Sequence, residues 1–193
     1  MSARRFAVAA LAICISAPAV GHEFDAAIVA PFSNEAEIGQ GILRGLKFAS
    51  AERDSHADMT SDGHLGGVDV HFKPVDSAKT LDTIKAALAE LNAPIVFVAV
   101  PADLRVSLED DLPGSVIFIP GLQPDQSNPA LQDIARRFLA TTGNEMNGFA
   151  RIGYNAGRRI DLAVRPLDGV KPAEALDDAF EESAGGIDWG ADF

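Results

Sequence analysis

A chain of 193 residues, 47% hydrophobic and 23% charged, has the composition of an ordinary globular protein. Its 28 acidic residues against 16 basic ones give a net charge of −12, which argues against nucleic acid and anionic membrane surfaces as partners. The one cysteine, Cys14, lies in the N-terminal apolar run, so the remainder has neither a disulfide nor a cysteine-held metal.

The N-terminus reads as an address. Arg4 and Arg5 precede FAVAALAICIS, and the small residues of Ala17 to Gly21 follow, the layout of a secretory signal peptide. The apolar run is too short to span a bilayer. Ala7 and Val8 do not suit a twin-arginine signal, and bulky Ile13 before Cys14 does not suit a lipobox. The expected organisation is a signal peptide over residues 1–21, a single α/β lobe over 22–182, and an acidic, Gly-rich tail over 183–193, in an exported, periplasmic protein. Loss of the two arginines leaves 14 bases against 28 acids, a net −14. The roughly 170 residues left suffice for one sizeable core and are too few for two.

The lobe begins with Phe24 to Ala30 (FDAAIVA), short and apolar as a central parallel strand is. After Pro31, apolar residues recur at Ile38, Ile42, Leu46 and Ala49, the spacing of one helix face. Ser55 to Gly67 is polar and turn-rich and reads as an exposed loop. Val68, Val70 and Phe72 alternate on one side of a strand running to Val75, with His71 on its polar side. Asp76 and Ser77 can cap a helix striped by Leu81, Ile84, Leu88 and Leu91. Pro94 to Val100 is a central strand, Ala102 to Glu109 a short helix, and Ser115 to Ile119 another strand. Four strand–helix alternations predict a three-layer, Rossmann-like α/β fold: a parallel sheet of about four strands with helices on both faces. Past the loop Gly121 to Pro129 only helices follow: Ala130 to Thr142, Phe149 to Arg165 and Lys171 to Glu182. The tail from Ser183 reads as a mobile end.

Several of these segments resemble type 1 periplasmic solute-binding proteins, the branched-chain amino-acid binding class that serves ABC transporters. GQGILRGLKFA (Gly39 to Ala49) after a Pro-Phe-Ser loop resembles that family's first helix. Gly66 to Val70 is similar to its glycine turn into the second strand, and Val75 to Ala78 to the acidic turn before the second helix. Phe138 to Gly143 and Phe149 to Ala156 resemble its closing segment. The resemblance spans most of residues 24–182. It implies a two-lobed binder that traps its ligand by hinge closure, yet here about nine loop residues lead from the last strand straight to the closing helices. Against that family the expectation is a chain reduced to a single lobe.

The resemblance thus implies a non-enzymatic periplasmic binding component related to ABC transporter substrate-binding proteins. Its partners are a small-molecule ligand and a second subunit, an ABC transporter or another periplasmic protein. In open α/β sheets ligands bind beyond the carboxyl ends of the strands. That places the candidate site on Phe32, Ser33, Asn34, Pro101, Asp103, Gln123 and Asp125. The loops Val100 to Leu104 and Pro120 to Asp125 lack the Ser and Thr hydroxyls with which the family holds a ligand carboxylate. Asp103 and Asp125 repel such a group, which leaves a cationic or neutral ligand. The alternative is an accessory or regulatory subunit that has lost ligand binding.

Metal handling is the third reading. It draws on His22, the amino terminus if cleavage follows Gly21, and on His56, Asp58, Asp62 and His64, whose spacing matches no established metal site. A solvated loop accounts for the same residues. GQGILRG is spaced G-x-G-x-x-x-G and is no dinucleotide fingerprint; its glycines predict close helix packing, with Arg44 exposed. No nucleophile elbow, HExxH or Ser–His–Asp pattern is present, so neither an enzyme nor a cofactor is expected.

Overall fold

In the computed structural model the described residues are 23–54, 60–99, 102–109, 111–112, 114–125, 127–167 and 169–190. The signal-peptide residues, His22, His56 and Asp58 lie outside them. β1 (Glu23–Ala30), β3 (Val68–Asp76), β4 (Ile95–Val98) and β5 (Val116–Phe118) are parallel, and β2 (His64–Leu65) pairs antiparallel with β3. The order across the sheet is β2-β3-β1-β4-β5.

Strand alternation divides the core. Phe24, Ala26, Ile28 and Ala30 of β1, with Val68, Val70 and Phe72 of β3, face one layer. That layer holds α1 (Ala36–Ala51), α5 (Gly148–Val164) and α6 (Ala173–Glu182). Ala27, Val29, Val75, Val96 and Ile117 face the other, which holds α2 (Leu81–Leu91) and α3 (Ala102–Glu109). α4 (Pro129–Thr142) packs outside α1 and α5 through Phe138, whose ring meets Phe48 edge-on at 5.2 Å. Among the described residues no helix is long and apolar enough to cross a membrane.

The glycines of α1 do permit close packing, against glycines of α5. A Cβ on Gly45 would lie 2.0 Å from the Ala150 carbonyl oxygen, and one on Gly153 1.9 Å from that of Ile42. Ile42, Leu46 and Ala49 are buried as the spacing predicted, and Ile38 is half-buried; Arg44 is half-buried too, not exposed.

Three expectations need correcting. The four parallel strands gain an antiparallel edge strand, because the segment read as an exposed loop ends in β2, where His64 and Leu65 are buried. The reason is the hairpin: Asp161, fully buried on α5, accepts from the Gly66 amide at 2.7 Å and draws the turn against the core. Second, α2 is capped by Thr80, whose hydroxyl accepts from Thr83 N, and Leu81 is exposed. Third, the tail is folded over residues 183–190: Ser183–Gly185 forms a 3₁₀ turn and Trp189 is completely buried. α5 also differs from its single predicted stripe. Enclosed by the sheet, α1, α6 and the tail, it buries Asn155, Arg158, Arg159 and Asp161 along with its apolar residues.

Candidate functional site

At the carboxyl ends of the strands, the loops after β1 and β5 are each tied down by a buried or semi-buried polar group. After β1, Pro31 turns the chain and Phe32 tucks half-buried beside Gly39, leaving Ser33 and Asn34 exposed. Asp76, the last residue of β3, holds this loop. Its Oδ1 accepts from the amides of Phe32 (3.0 Å), Ser33 (3.3 Å) and Ala78 (3.2 Å). The Ser77 amide donates to Ala30 O at 2.9 Å, which completes the link between the loops after β1 and β3.

These donors favour the ionised carboxylate. The Ser33 hydroxyl contributes most, and the Ala78, Phe32 and Ser33 amides add to it, so Asp76 is held down at about 2 against an ordinary 3.8. A group depressed in the folded state contributes stability above its unfolded pKa and loses it as pH falls through the folded value. The melting-temperature gap between wild type and Asp76→Asn is therefore expected to be full at neutral pH and to shrink between about pH 4 and pH 2. Thermal melts across that range test it; a constant gap would show that the carboxylate charge does not hold the loop.

The other rim residues are placed separately. Pro101 lies outside the described residues, and Asp103 is in the first turn of α3 with its side chain outside the description. After β5, Gln123 is half-buried and Asp125 exposed. Asp125 turns back into its own loop: Oδ1 accepts from Ser127 N at 2.8 Å. The Ser127 hydroxyl, then its amide, lowers the Asp125 pKa. This turn delivers Asn128, whose side chain caps α4 by accepting from Ala130 N. The structure thus joins Phe32 and Ser33 through Asp76. Among the described residues no hydrogen bond or ion pair joins them to Gln123 or Asp125.

The β5 loop is anchored by Arg159 of α5. Its Nη1 donates to Ile119 O at 2.6 Å, its Nε to Ser183 Oγ at 2.9 Å and its Nη2 to Phe180 O. Its guanidinium carbon lies 5.2 Å from the Phe118 ring centre. Burial pushes this arginine down to about 10, still cationic at neutral pH. The Leu122 amide then donates to Ala184 O at 3.1 Å, so the tail braces the rim, with Leu122 itself 67% exposed.

Asp62 and His64 are engaged in structure. Asp62 pairs with Lys47 at 2.8 Å and accepts from Phe72 N, while the two ring nitrogens of His64 face Asp54 (3.0 Å) and Asp69 (3.3 Å). Among the described residues no group of three His, Cys, Asp or Glu side chains is placed to hold a metal. Sequence reasoning saw Asp76 as a helix cap within an acidic turn, not as the holder of the β1 loop, and missed Arg159. The signal for the first was its position at a strand end before a Ser; for the second there was none, since a charged helix residue ordinarily faces water.

No family model matches the chain, and no curated protein sequence is similar to it. Two solved structures are similar to it. One is the solute-binding protein of an ABC transporter from R. palustris in complex with benzoate, with a TM-score of 0.52 and 12% identity over 82% of this chain and 85% of that one. The other is an ABC transporter substrate-binding protein from Sphaerobacter thermophilus, with a TM-score of 0.49 and 12% identity over the same shares. At 12% identity the likeness to the R. palustris protein is one of fold. The shared fold is an α/β one, here a five-stranded, mostly parallel sheet with helices on both faces.

Proposed function

We propose that this chain is a non-enzymatic, exported solute-binding component related to the substrate-binding proteins of ABC transporters, acting in the periplasm. It belongs in this reading with the type 1, branched-chain amino-acid class, but takes a small neutral or cationic molecule on its strand-end rim. The observation that carries the reading is the preorganised rim: Asp76 fixes the β1 loop through the Phe32 and Ser33 amides, and Arg159 fixes the β5 loop through Ile119 O. Rigid loops at strand ends are where open α/β sheets bind ligands. Asn34 and Gln123 bring side-chain amides to the rim and exposed Asp125 a negative charge, which supports a neutral or cationic ligand over an anion. A single open wall buries little of any ligand, so a second subunit or a transporter component completes the site.

Light scattering on the exported form, combined with a thermal-shift screen of small solutes and metals, tests this. The expected result is a self-associating protein whose melting temperature rises with one class of neutral or cationic solute, since a ligand of the native state stabilises it. A monomer unmoved by every solute overturns the reading and leaves the accessory-subunit alternative. A shift with metal ions alone would point instead to metal handling.

A further inference from the structure

The sheet face that carries α2 and α3 holds a second feature, which meets the rim at Asp76. Between α2 and β3 runs a groove of about 650 Å³, within the size range of small-molecule sites. Its floor is apolar, made by Val75 of β3 and by Ile84, Ala87 and Leu91 on successive turns of α2. Its lining also includes three carboxylates, Asp76 toward the start of α2 and Asp25 and Glu90 toward its end. Asp25 lies opposite His71 and Ala30 opposite Asp76, so the two aspartates are about 16 Å apart along the strands.

The protein's own side chains show what chemistry fits here. Lys73 lines the groove with its ammonium 3.3 Å from Asp25, and Lys79 with its ammonium 3.9 Å from Asp76. Each is an aliphatic chain ending in a cation, set in the lining of an apolar groove beside a carboxylate. Both are open to solvent, at 38% and 58% exposure, so water can receive their heads.

We propose that this groove binds a linear aliphatic diamine or polyamine, with one amine at Asp76, another at Asp25 and Glu90, and the methylene chain on Ile84, Ala87 and Leu91. The ligand's amines take the places of the two lysine heads, which swing into water. Three carboxylates against two lysines leave the groove acidic, and the chain's net charge of −12 adds long-range attraction for a polycation. The apolar floor distinguishes such a ligand from an inorganic cation, which gains nothing from it.

Calorimetric titration of the full chain with decamethylenediamine tests this, with sebacate as the probe of equal length and opposite charge. The expected result is saturable diamine binding at one site, no sebacate binding, and affinity about tenfold weaker in Glu90→Gln and in Ala87→Trp, which fills the floor. Glu90 is exposed, so its variant keeps the test alive if Ala87→Trp does not fold. Sebacate binding as tightly as the diamine would overturn the proposal, because the lysines would then be reading the ligand. Diamine binding indifferent to both substitutions, or matched by magnesium, would equally overturn it as attraction to acidic surface alone.

Discussion

Gly153→Ala is expected to destabilise the protein by about 3 kcal/mol, although alanine is the better helix former by about 1 kcal/mol. The added carbon would stand 1.9 Å from the Ile42 carbonyl oxygen, a backbone atom that no side-chain rotation can move aside. α1 and α5 must separate, and with them the contacts that seat α5 on the sheet. For a domain of this size the loss corresponds to a fall in melting temperature of about 10 °C. Gly148→Ala supplies the control within the same helix, since nothing lies within 4 Å of its would-be Cβ. Circular dichroism melts of the two variants check the expectation. If Gly153→Ala melts with or above the wild type, the helices do not meet at this register.

This helix pair shows why part of the fold was legible in the sequence. Gly41 and Gly45 on α1 sit four residues apart, as do Gly153 and Gly157 on α5, the spacing of one helix face. Apolar alternation likewise announced which side of each strand faces which layer, with Val68, Val70 and Phe72 in one cluster and Val75 in the other. Such patterns are local, so they survive in a single sequence. What was not legible depends on residues far apart. Asp161 is fully buried because Gly66, 95 residues earlier, presents an amide to it and Arg165 Nη2 lies 2.8 Å and 2.7 Å from its two oxygens. Arg159 is buried because three acceptors, from the loop after β5, from α6 and from the tail, converge on it. Neither burial has a periodicity.

The rim divides along the same line. The rule that ligands gather beyond strand ends placed Phe32, Ser33 and Asn34 on one loop, where they are. It could not show that Asp125 spends its carboxylate on Ser127, nor that Asp76 rather than a rim residue proper organises the β1 loop. Composition also misled at the tail, where glycine and aspartate suggested mobility. The contrary signal was one residue: a tryptophan in so polar a segment loses a large apolar area if it stays in water, and it therefore seeks a core.

Removing that side chain is the second large effect expected. Trp189 is 0% exposed, packs edge-on to Tyr154 at 4.9 Å and donates from Nε1 to Asn155 Oδ1 at 2.9 Å. Tyr154 in turn donates to Glu52 at 2.8 Å, and Phe138 and Ile134 of α4 close the same cluster. Trp189→Ala is expected to cost about 3–5 kcal/mol through lost burial and the cavity left behind. Trp189→Phe keeps most of the volume but leaves buried Asn155 without its donor, for about 1–3 kcal/mol. Because Trp189 is the chain's one tryptophan, its fluorescence reports on the tail directly. The native protein is expected to emit at short wavelength and resist aqueous quenchers, then shift to long wavelength as it unfolds. Emission already at long wavelength in the native protein would show the tail undocked, and the brace that Ser183 and Ala184 supply to the β5 loop would then have no support.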